Sequence, residues 1–284
     1  MTIGFQGYVH SESWTFNNPG ISYIGFSPQY TSGQSQHIEL KFRTRQPNGL
    51  LFHHYLLPFD KNKFPLLYHY ELYAEIRKGY LRVGHQVNQY SQLLTLGQGL
   101  NDDQWHSLSW DLDSSDGLMS VQLDNETKSL SLEVYGWGSG KEILKWSQLP
   151  SIISFGATNK SESQEFFYFI GCLADLKYSR EDGILIAIPI QKISGVTQGC
   201  SDLCTGSNPC QNGGRCINMY TTTKCDCFGT NYEGSKCENK EILFSVADYF
   251  VTRLHTGPNR QTESCSCSPK SVGLLVDLSE ANII

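Results

Sequence analysis

The chain has 284 residues and a formal net charge of −6, which argues against a nucleic-acid partner, since that would need a basic face. Hydrophobic residues make up 39% and aromatic residues 12%, with 26 glycines, a composition that favours strands and turns over helices. No stretch approaches the roughly 18 to 20 apolar residues that a membrane span needs, so we expect no membrane segment in this chain. The length suits one large domain followed by a smaller one.

Alternation of apolar and polar side chains predicts the first strands. Ile38, Leu40 and Phe42 alternate with charged or polar neighbours, which is the pattern of a half-buried strand. Pro47-Asn48-Gly49 predicts a turn, and the "LLFHHYLL" run that follows predicts a second strand. The two strands are therefore expected to form a hairpin.

The same pattern returns in "YELYAEIRKGYLRVGHQV" and in "QWHSLSWDLDSSDGLMSVQL". Each run contains two alternating segments separated by a turn, and neither has a helical period. Short alternating strands sustained over about 200 residues are typical of an all-β sandwich or jelly roll.

After residue 199 the texture changes to a cysteine-rich segment. Six cysteines between 204 and 237 allow 15 pairings, and spacing alone does not choose among them. A segment of about 35 residues cannot stabilise itself by hydrophobic burial, so disulfides would take the place of a core. A zinc site is the competing interpretation, but this segment has no histidine and no C-x2-C pair. Disulfides imply an oxidising compartment, and we expect the chain to be part of a longer exported protein.

The sequence "NPCQNGGRCINMYTTTKCDCFGTNYEGSKCE" resembles an EGF-like module in its NGG.C turn, its C.C pair and its Y.G..C ending. It is most similar to the EGF modules interleaved with laminin G domains in neurexins and contactin-associated proteins. The resemblance implies three disulfide pairs: Cys204 with Cys216, Cys210 with Cys225, and Cys227 with Cys237. Calcium is not expected in this module, because Asp202 is the only acidic residue before the first cysteine and Thr223 stands at the expected aromatic position.

Upstream, "NDDQWHSLSWDLD" and "FFYFIGCLADLKYSREDG" resemble the laminin G domain. This resemblance implies a laminin G jelly-roll sandwich over residues 3–200 and a disulfide between Cys172 and Cys200. The EGF-like module then covers residues 201–238. Residues 239–284, with Cys265 and Cys267, stay unassigned, either as a disordered terminus or as the start of a truncated next domain.

Many laminin G domains hold calcium at the sandwich rim through an aspartate side chain. In this chain that position falls at about Tyr70, beside Glu71, and only Asp60 in a nearby loop offers another ligand. We therefore predict no cofactor, calcium included. His53 and His54 are adjacent on a predicted strand and point to opposite faces, which favours structural roles over a metal cluster.

Two aromatic loops are the candidate ligand contacts. The first, "HHYLLPFDKNKFPLLYHY", contributes Asp60 and Tyr70, with Glu71 directly after it, and the second, "YGWGSGKEILKW", contributes Trp137 and Lys141. Such residues are common at interfaces, although packing of the aromatics against the sandwich is the alternative.

The sequence also suggests modification sites but no catalytic ones. Asn125 and Asn159 begin glycosylation sequons in polar loops. The turns that combine serine, aspartate and histidine lack any second motif, so no catalytic residue is predicted and an enzyme ranks last.

The predicted function is recognition without turnover. We expect an extracellular or cell-surface adhesion receptor ectodomain, from a single-pass membrane protein, that binds a matrix or cell-surface protein or glycan through its loop rim. The alternative is a secreted matrix protein of the same fold that binds a glycan or a small ligand.

Overall fold

The computed structural model describes residues 12–28, 36–57, 69–87, 90–113, 118–131, 150–158, 166–179, 184–206 and 208–240. Every regular element in these ranges is a β-strand, and no helix in them could cross a membrane. The chain separates into the units Met1–Lys240 and Glu241–Ile284, and the second unit, with Cys265 and Cys267, lies outside the described residues. The boundaries at residues 200 and 238 stay predictions.

In chain order the strands are β1 (Ser13–Phe16), β2 (Tyr23–Phe26), β3 (Gln36–Arg43), β4 (Asn48–Leu56), β5 (Tyr70–Arg77), β6 (Tyr80–Val87), β7 (Tyr90–Leu96), β8 (His106–Asp113), β9 (Leu118–Leu123), β10 (Glu126–Ser131), β11 (Ser151–Phe155), β12 (Gly171–Ser179), β13 (Leu185–Ala187), β14 (Lys192–Ser194), β15 (Val196–Gln198), β16 (Arg215–Asn218), β17 (Thr223–Asp226), β18 (Tyr232–Glu233) and β19 (Asn239–Lys240).

Two large antiparallel sheets share one hydrophobic core. The eight-stranded sheet has the order β10-β9-β8-β3-β12-β1-β15, with β13 also paired to β12, and the seven-stranded sheet has the order β14-β2-β11-β4-β5-β6-β7. The inward positions of β3 are almost inaccessible, with Ile38 at 1%, Leu40 at 2% and Phe42 at 0% exposure. Each such side chain stabilises the fold by about 1.5 to 3 kcal/mol through burial. The prediction of an all-β jelly-roll sandwich is confirmed.

The predicted hairpin around Pro47-Asn48-Gly49 is wrong. β3 belongs to the eight-stranded sheet and β4 to the seven-stranded sheet, so the chain crosses between sheets at this turn. β4 pairs with β5 and β11 instead, and it is buried on both faces over most of its length. A turn sequence specifies that the chain reverses, but it does not specify which sheet takes the next strand.

The β5–β6 hairpin forms as predicted. Its turn residues Lys78 and Gly79 have φ angles of 54° and 78°, and two consecutive positive φ values are the geometry of a type I′ hairpin turn. Only Gly79 adopts this conformation without steric cost.

Four disulfides hold the C-terminal part of the described chain. Cys172 is bonded to Cys200 at the sandwich, and three further bonds join Cys204 to Cys216, Cys210 to Cys225, and Cys227 to Cys237. These are the pairs that the sequence resemblance implies. The segment they hold contains two short hairpins, β16–β17 and β18–β19.

Arg43, the last residue of β3, connects residues 201–240, called here the disulfide-linked segment, to the sandwich. Its guanidinium lies over the rings of Trp105 and Tyr220, 5.4 and 5.9 Å from their centroids. Its Nε donates to the Tyr220 hydroxyl at 2.9 Å, and that hydroxyl donates to Asp103 Oδ1 at 2.7 Å. Burial and the hydrogen bond to Asp103 raise the pKa of Tyr220, so its hydroxyl keeps the proton that it donates.

Arg45 and Ser201 add further contacts between the disulfide-linked segment and the sandwich, and we call this set of contacts the Arg43 joint. Arg45 donates to Asp103 Oδ2 at 2.8 Å and to the carbonyl of Asn218 at 3.1 Å. Asn218 donates to the carbonyl of Ser201 at 3.0 Å, and the Ser201 amide donates to the Thr15 hydroxyl at 2.7 Å. Hydrogen bonds to charged groups are worth about 1.5 to 3 kcal/mol each, so this network holds the segment firmly against the sheet.

Two histidines lie in the sandwich core with their rings packed on Tyr70. The ring centroids of His54 and His85 are 5.3 and 5.6 Å from that of Tyr70, and the two histidines are 1% and 2% exposed. Burial lowers the pKa of His54 to about 3, with the neighbouring His53 and His85 adding to the effect, and lowers the pKa of His85 to about 4. Both rings are therefore neutral in the folded state at physiological pH.

We expect the fold to lose stability as the pH falls below the ordinary histidine pKa of 6.5. As the pH falls, these histidines take up protons in the unfolded chain but stay neutral in the folded chain. The free energy of unfolding therefore decreases as the pH is lowered. At about 1.4 kcal/mol per pH unit and histidine, the two rings should together cost about 2 to 3 kcal/mol between pH 7 and pH 5.5. Urea unfolding at a series of pH values measures this slope.

The His85→Leu variant should lose about half of the slope, since one of the two protons is no longer taken up on unfolding. His37→Gln is the control of opposite sign. Hydrogen bonding to Asp111 raises the pKa of His37, so removing that ring should steepen the loss at low pH. A slope that His85→Leu leaves unchanged would contradict the assignment.

Candidate functional site

The outer face of the eight-stranded sheet carries an open polar groove of about 440 Å³. It crosses β9, β8, β3 and β12, whose outward side chains alternate with the core residues of the same strands. At about 4.8 Å between strands, the groove spans roughly 14 Å.

Strand register arranges the groove residues in rows across the sheet. The central row contains Gln122, Ser109, Glu39 and Lys177 on four successive strands. The row on one side pairs Asp111 with His37, and the row on the other pairs Ser107 with Lys41. These side chains share one face because strand side chains alternate with a period of two.

His37 links two carboxylates within the groove. Its Nε2 lies 3.1 Å from Glu39 Oε1, and its Nδ1 makes a close contact with Asp111 Oδ1. The hydrogen bond with Asp111 raises the pKa of His37, while burial opposes the rise. The ring therefore favours protonation and holds both carboxylates in fixed positions.

The two lysines of the groove are paired with carboxylates. Lys41 Nζ lies 2.8 Å from Asp175 Oδ2, and Lys177 Nζ lies 3.5 Å from Glu39 Oε2. Asp175 has a φ of 53° in the irregular part of β12, between Ala174 and Lys177, where the register with β3 shifts. Such bulges re-aim side chains, and in this strand the carboxylate meets Lys41.

Asp124 closes the groove at the turn after β9. Its Oδ1 accepts from the Ser107 amide at 2.7 Å, and its Oδ2 lies 2.8 Å from His106 Nδ1. The His106 Nε2 lies 3.2 Å from Asp102 Oδ1, so the ring sits between two carboxylates. These contacts give His106 a structural hydrogen-bonding role.

Tyr70 and Glu71 are not at the surface, where ligand contacts would have to lie. Tyr70 is 6% exposed and packs in the sandwich core, and burial raises the pKa of its hydroxyl. Glu71 is 1% exposed, with His53 Nε2 at 2.7 Å and His69 Nε2 at 3.3 Å. This corrects the prediction that both residues contact a ligand. Alternation along β5 directs the Tyr70 side chain into the core and the Glu71 side chain towards buried histidines.

His53 and His54 lie on opposite faces of β4, as strand geometry predicts. His53 Nδ1 is 2.6 Å from the Thr158 hydroxyl, whereas His54 Nε2 is 3.0 Å from the Ser151 hydroxyl. Their partners differ because adjacent strand residues point in opposite directions.

The remaining predicted positions divide between described and undescribed residues. Asn125 is exposed in the two-residue turn between β9 and β10, whose flanking residues Leu123 and Glu126 are paired. Asp60, Trp137, Lys141 and Asn159 lie outside the described residues.

Sequence reasoning missed both the groove and the Arg43 joint. Alternation along β3 and β8 identifies their polar positions only as the outward half of each strand. Pairing of β3 between β8 and β12 brings those positions together, and alternation within single strands does not reveal that pairing. The useful signal was the abundance of Glu, Asp, Lys and His at these outward positions.

The chain is similar to one protein family and to several known proteins. Residues 42–181 match the laminin G domain family. Neurexin 1 of Drosophila melanogaster is 26% identical over 255 residues, covering 84% of this chain and 13% of that protein. Protein crumbs homolog 1 of Mus musculus is 26% identical over 248 residues, covering 78% of this chain and 16% of its own length.

Among solved structures, domains LG4-5 of the mouse laminin alpha1 chain are similar with a TM-score of 0.48 and 12% sequence identity. The match covers 66% of this chain and 46% of that one. The chain spans only 13% and 16% of the two curated relatives. This chain contains a laminin G domain, followed by a disulfide-rich segment that fits an EGF-like module.

Proposed function

We propose that this chain is part of an extracellular adhesion or receptor ectodomain that binds a cell-surface or matrix protein or glycan without turnover. The observation that carries the proposal is the laminin G sandwich joined without a linker to a disulfide-linked module, through Arg43, Tyr220 and Asp103. The full-length protein is proposed to be anchored in a membrane and exposed at the cell surface.

The four disulfides support an extracellular location. Cys172–Cys200 and the three bonds of the following segment need an oxidising compartment to form and persist. A secreted matrix protein of the same fold is the second candidate. Binding restricted to matrix glycans, with none to cells, favours that candidate.

Two sets of sequence-predicted residues belong to this proposal. Asp60, Trp137 and Lys141 are proposed ligand contacts of the loop rim, and Asn125 and Asn159 are proposed glycosylation sites. Asn125 is exposed in its turn, which suits an attached glycan. A glycan there would stand beside Asp124, at one end of the polar groove.

The 284-residue chain, tagged at its C-terminus, should bind saturably to cultured cells or to a deposited matrix. Specific interfaces reach micromolar affinity or tighter, so the expected dissociation constant is on the order of micromolar. Flow cytometry and surface plasmon resonance measure the binding, and digestion of the cell surface with protease or glycosidase separates protein from glycan ligands.

The same chain, reduced and alkylated, is the matched control, because it has the same composition without the disulfides. Binding that does not exceed this control on every cell type and matrix would overturn the proposed function.

The residues at the family's calcium position do not fit a calcium ion. Calcium takes six to eight oxygen ligands, usually including carboxylates. Tyr70 stands at that position with its side chain in the core, and the neighbouring Glu71 carboxylate lies against His53 and His69. Within the described ranges, no group of three or more acidic, histidine or cysteine residues is arranged to hold a metal.

Calorimetric titration of the 284-residue chain with calcium should therefore give heats no larger than those of dilution. Any binding should be weaker than about 1 mM, which is the weak end of extracellular calcium modules. Binding tighter than that would contradict the prediction and show that another carboxylate compensates. Repeating the titration with Asp60→Asn would then test the loop acid as its source.

A further inference from the structure

The two sheets differ in what they leave open on their outer faces. On the seven-stranded sheet, the outward side chains His53, Tyr55, Glu71 and Tyr73 are between 0% and 7% exposed. On the eight-stranded sheet, the side chains of Lys41, Asp111 and Lys177 are 49%, 48% and 42% exposed. The polar groove is therefore open to a ligand, while the outward side chains of β4 and β5 on the other sheet are covered.

The lining of the groove disfavours several kinds of ligand. The groove volume of about 440 Å³ falls within the range of known ligand sites. Pockets that bind small apolar molecules, however, are lined mainly by apolar and aromatic side chains. Among the residues that the structure describes, no Phe, Tyr or Trp side chain lines the groove. Protein interface cores are likewise depleted in Lys, Glu, Asp and Ser, which are the main residue types of this lining.

Charge disfavours a polyanion. Four carboxylates, Glu39, Asp111, Asp124 and Asp175, line the groove beside two lysines, Lys41 and Lys177. Both lysines already face carboxylates, at 2.8 and 3.5 Å. A sulfated or uronic-acid chain would meet net negative charge at close range.

We propose that the groove on the outer face of β3, β8, β9 and β12 binds a neutral oligosaccharide. Sugar hydroxyls both donate and accept hydrogen bonds, and the groove alternates acceptors such as Asp111 with donors such as Lys177, while Ser109 and Gln122 can do either. Hydrogen bonds to the charged groups are the strong ones. The inference rests on the proposed recognition function, and it adds a site on the sheet face that needs no metal.

The groove is ordered before a ligand arrives. His37 holds Glu39 and Asp111, Asp175 holds Lys41, and the Ser107 amide holds Asp124. Fixed side chains lose little conformational entropy on binding, which favours affinity for a flexible, hydroxyl-rich chain. The open row across four strands suits an extended ligand more than a single sugar ring.

The test uses the 284-residue chain and a panel of neutral oligosaccharides of glucose, galactose, mannose and N-acetylglucosamine, with heparin and a lysine-rich peptide as charged probes. Saturation-transfer NMR finds the binders and calorimetry measures their affinity in the presence of a calcium chelator. We expect at least one neutral oligosaccharide to bind.

Ser109→Tyr places a ring in the middle of the central row and should weaken that binding by about tenfold or more. Asp111→Asn, which keeps the shape but removes the charge, should weaken it by about threefold to tenfold. Ser91→Tyr is the matched control, since Ser91 is an exposed strand residue on β7 of the other sheet. It should change the affinity by less than about twofold.

Three results would overturn the groove as a saccharide site: no neutral oligosaccharide binds, only heparin or the lysine-rich peptide binds, or Ser109→Tyr and Ser91→Tyr bind equally well. If cell binding persists in any of these cases, the proposed function stands without this site. If saccharide binding is found but cell and matrix binding are absent, the adhesion proposal fails and the groove remains.

Discussion

The alternation of side chains along β3 is the constraint on which both halves of this structure depend. Ile38, Leu40 and Phe42 face inward and are almost completely buried between the two sheets. The outward positions of the same strand place His37, Glu39 and Lys41 in the groove, and Arg43, the next outward residue, at the joint with the disulfide-linked segment. One eight-residue strand thus contributes to the core, to the open polar face and to the attachment of the second module.

The joint follows from this geometry because Arg43 cannot turn inward without disrupting the core. Its guanidinium instead stacks between Trp105 and Tyr220 and shares Asp103 with Arg45. Tyr220 is 1% exposed, so the disulfide-linked segment uses a buried aromatic side chain as its contact with the sandwich. Burying that side chain between the modules favours one fixed arrangement over a flexible tether.

Local sequence patterns predicted the features that depend only on neighbouring residues, namely strand alternation and tight turns. Alternation in β3 and β8, the Lys78-Gly79 turn and the family-implied cysteine pairs all correspond to features of the structure. The predicted hairpin at Pro47-Asn48-Gly49 was wrong because sheet membership depends on pairing with distant strands. The predicted ligand contacts of Tyr70 and Glu71 were wrong for a related reason: β5 is buried on both faces, which cannot be deduced from its alternation.

The groove was beyond sequence reasoning because it is assembled from β3, β8, β9 and β12, of which only β8 and β9 are consecutive in the chain. Lys41 and Asp175 are far apart in sequence, yet β3–β12 pairing brings their charged atoms to 2.8 Å. The Asp103–Tyr220 contact likewise joins residues 117 positions apart. Sequence predicts which residues face outward, whereas only the pairing of the strands shows which outward residues meet.

From the contacts of Arg43, Arg45 and Tyr220 we expect the laminin G sandwich and the disulfide-linked segment to form one rigid body, so that the polar groove and the second module keep a fixed relation. Residual dipolar couplings from the isotopically labelled chain test this directly. We predict that one alignment tensor fits the amides of β3, β8 and β12 together with those of β16 to β19. Two tensors of different magnitude or orientation, one for each group of strands, would contradict it.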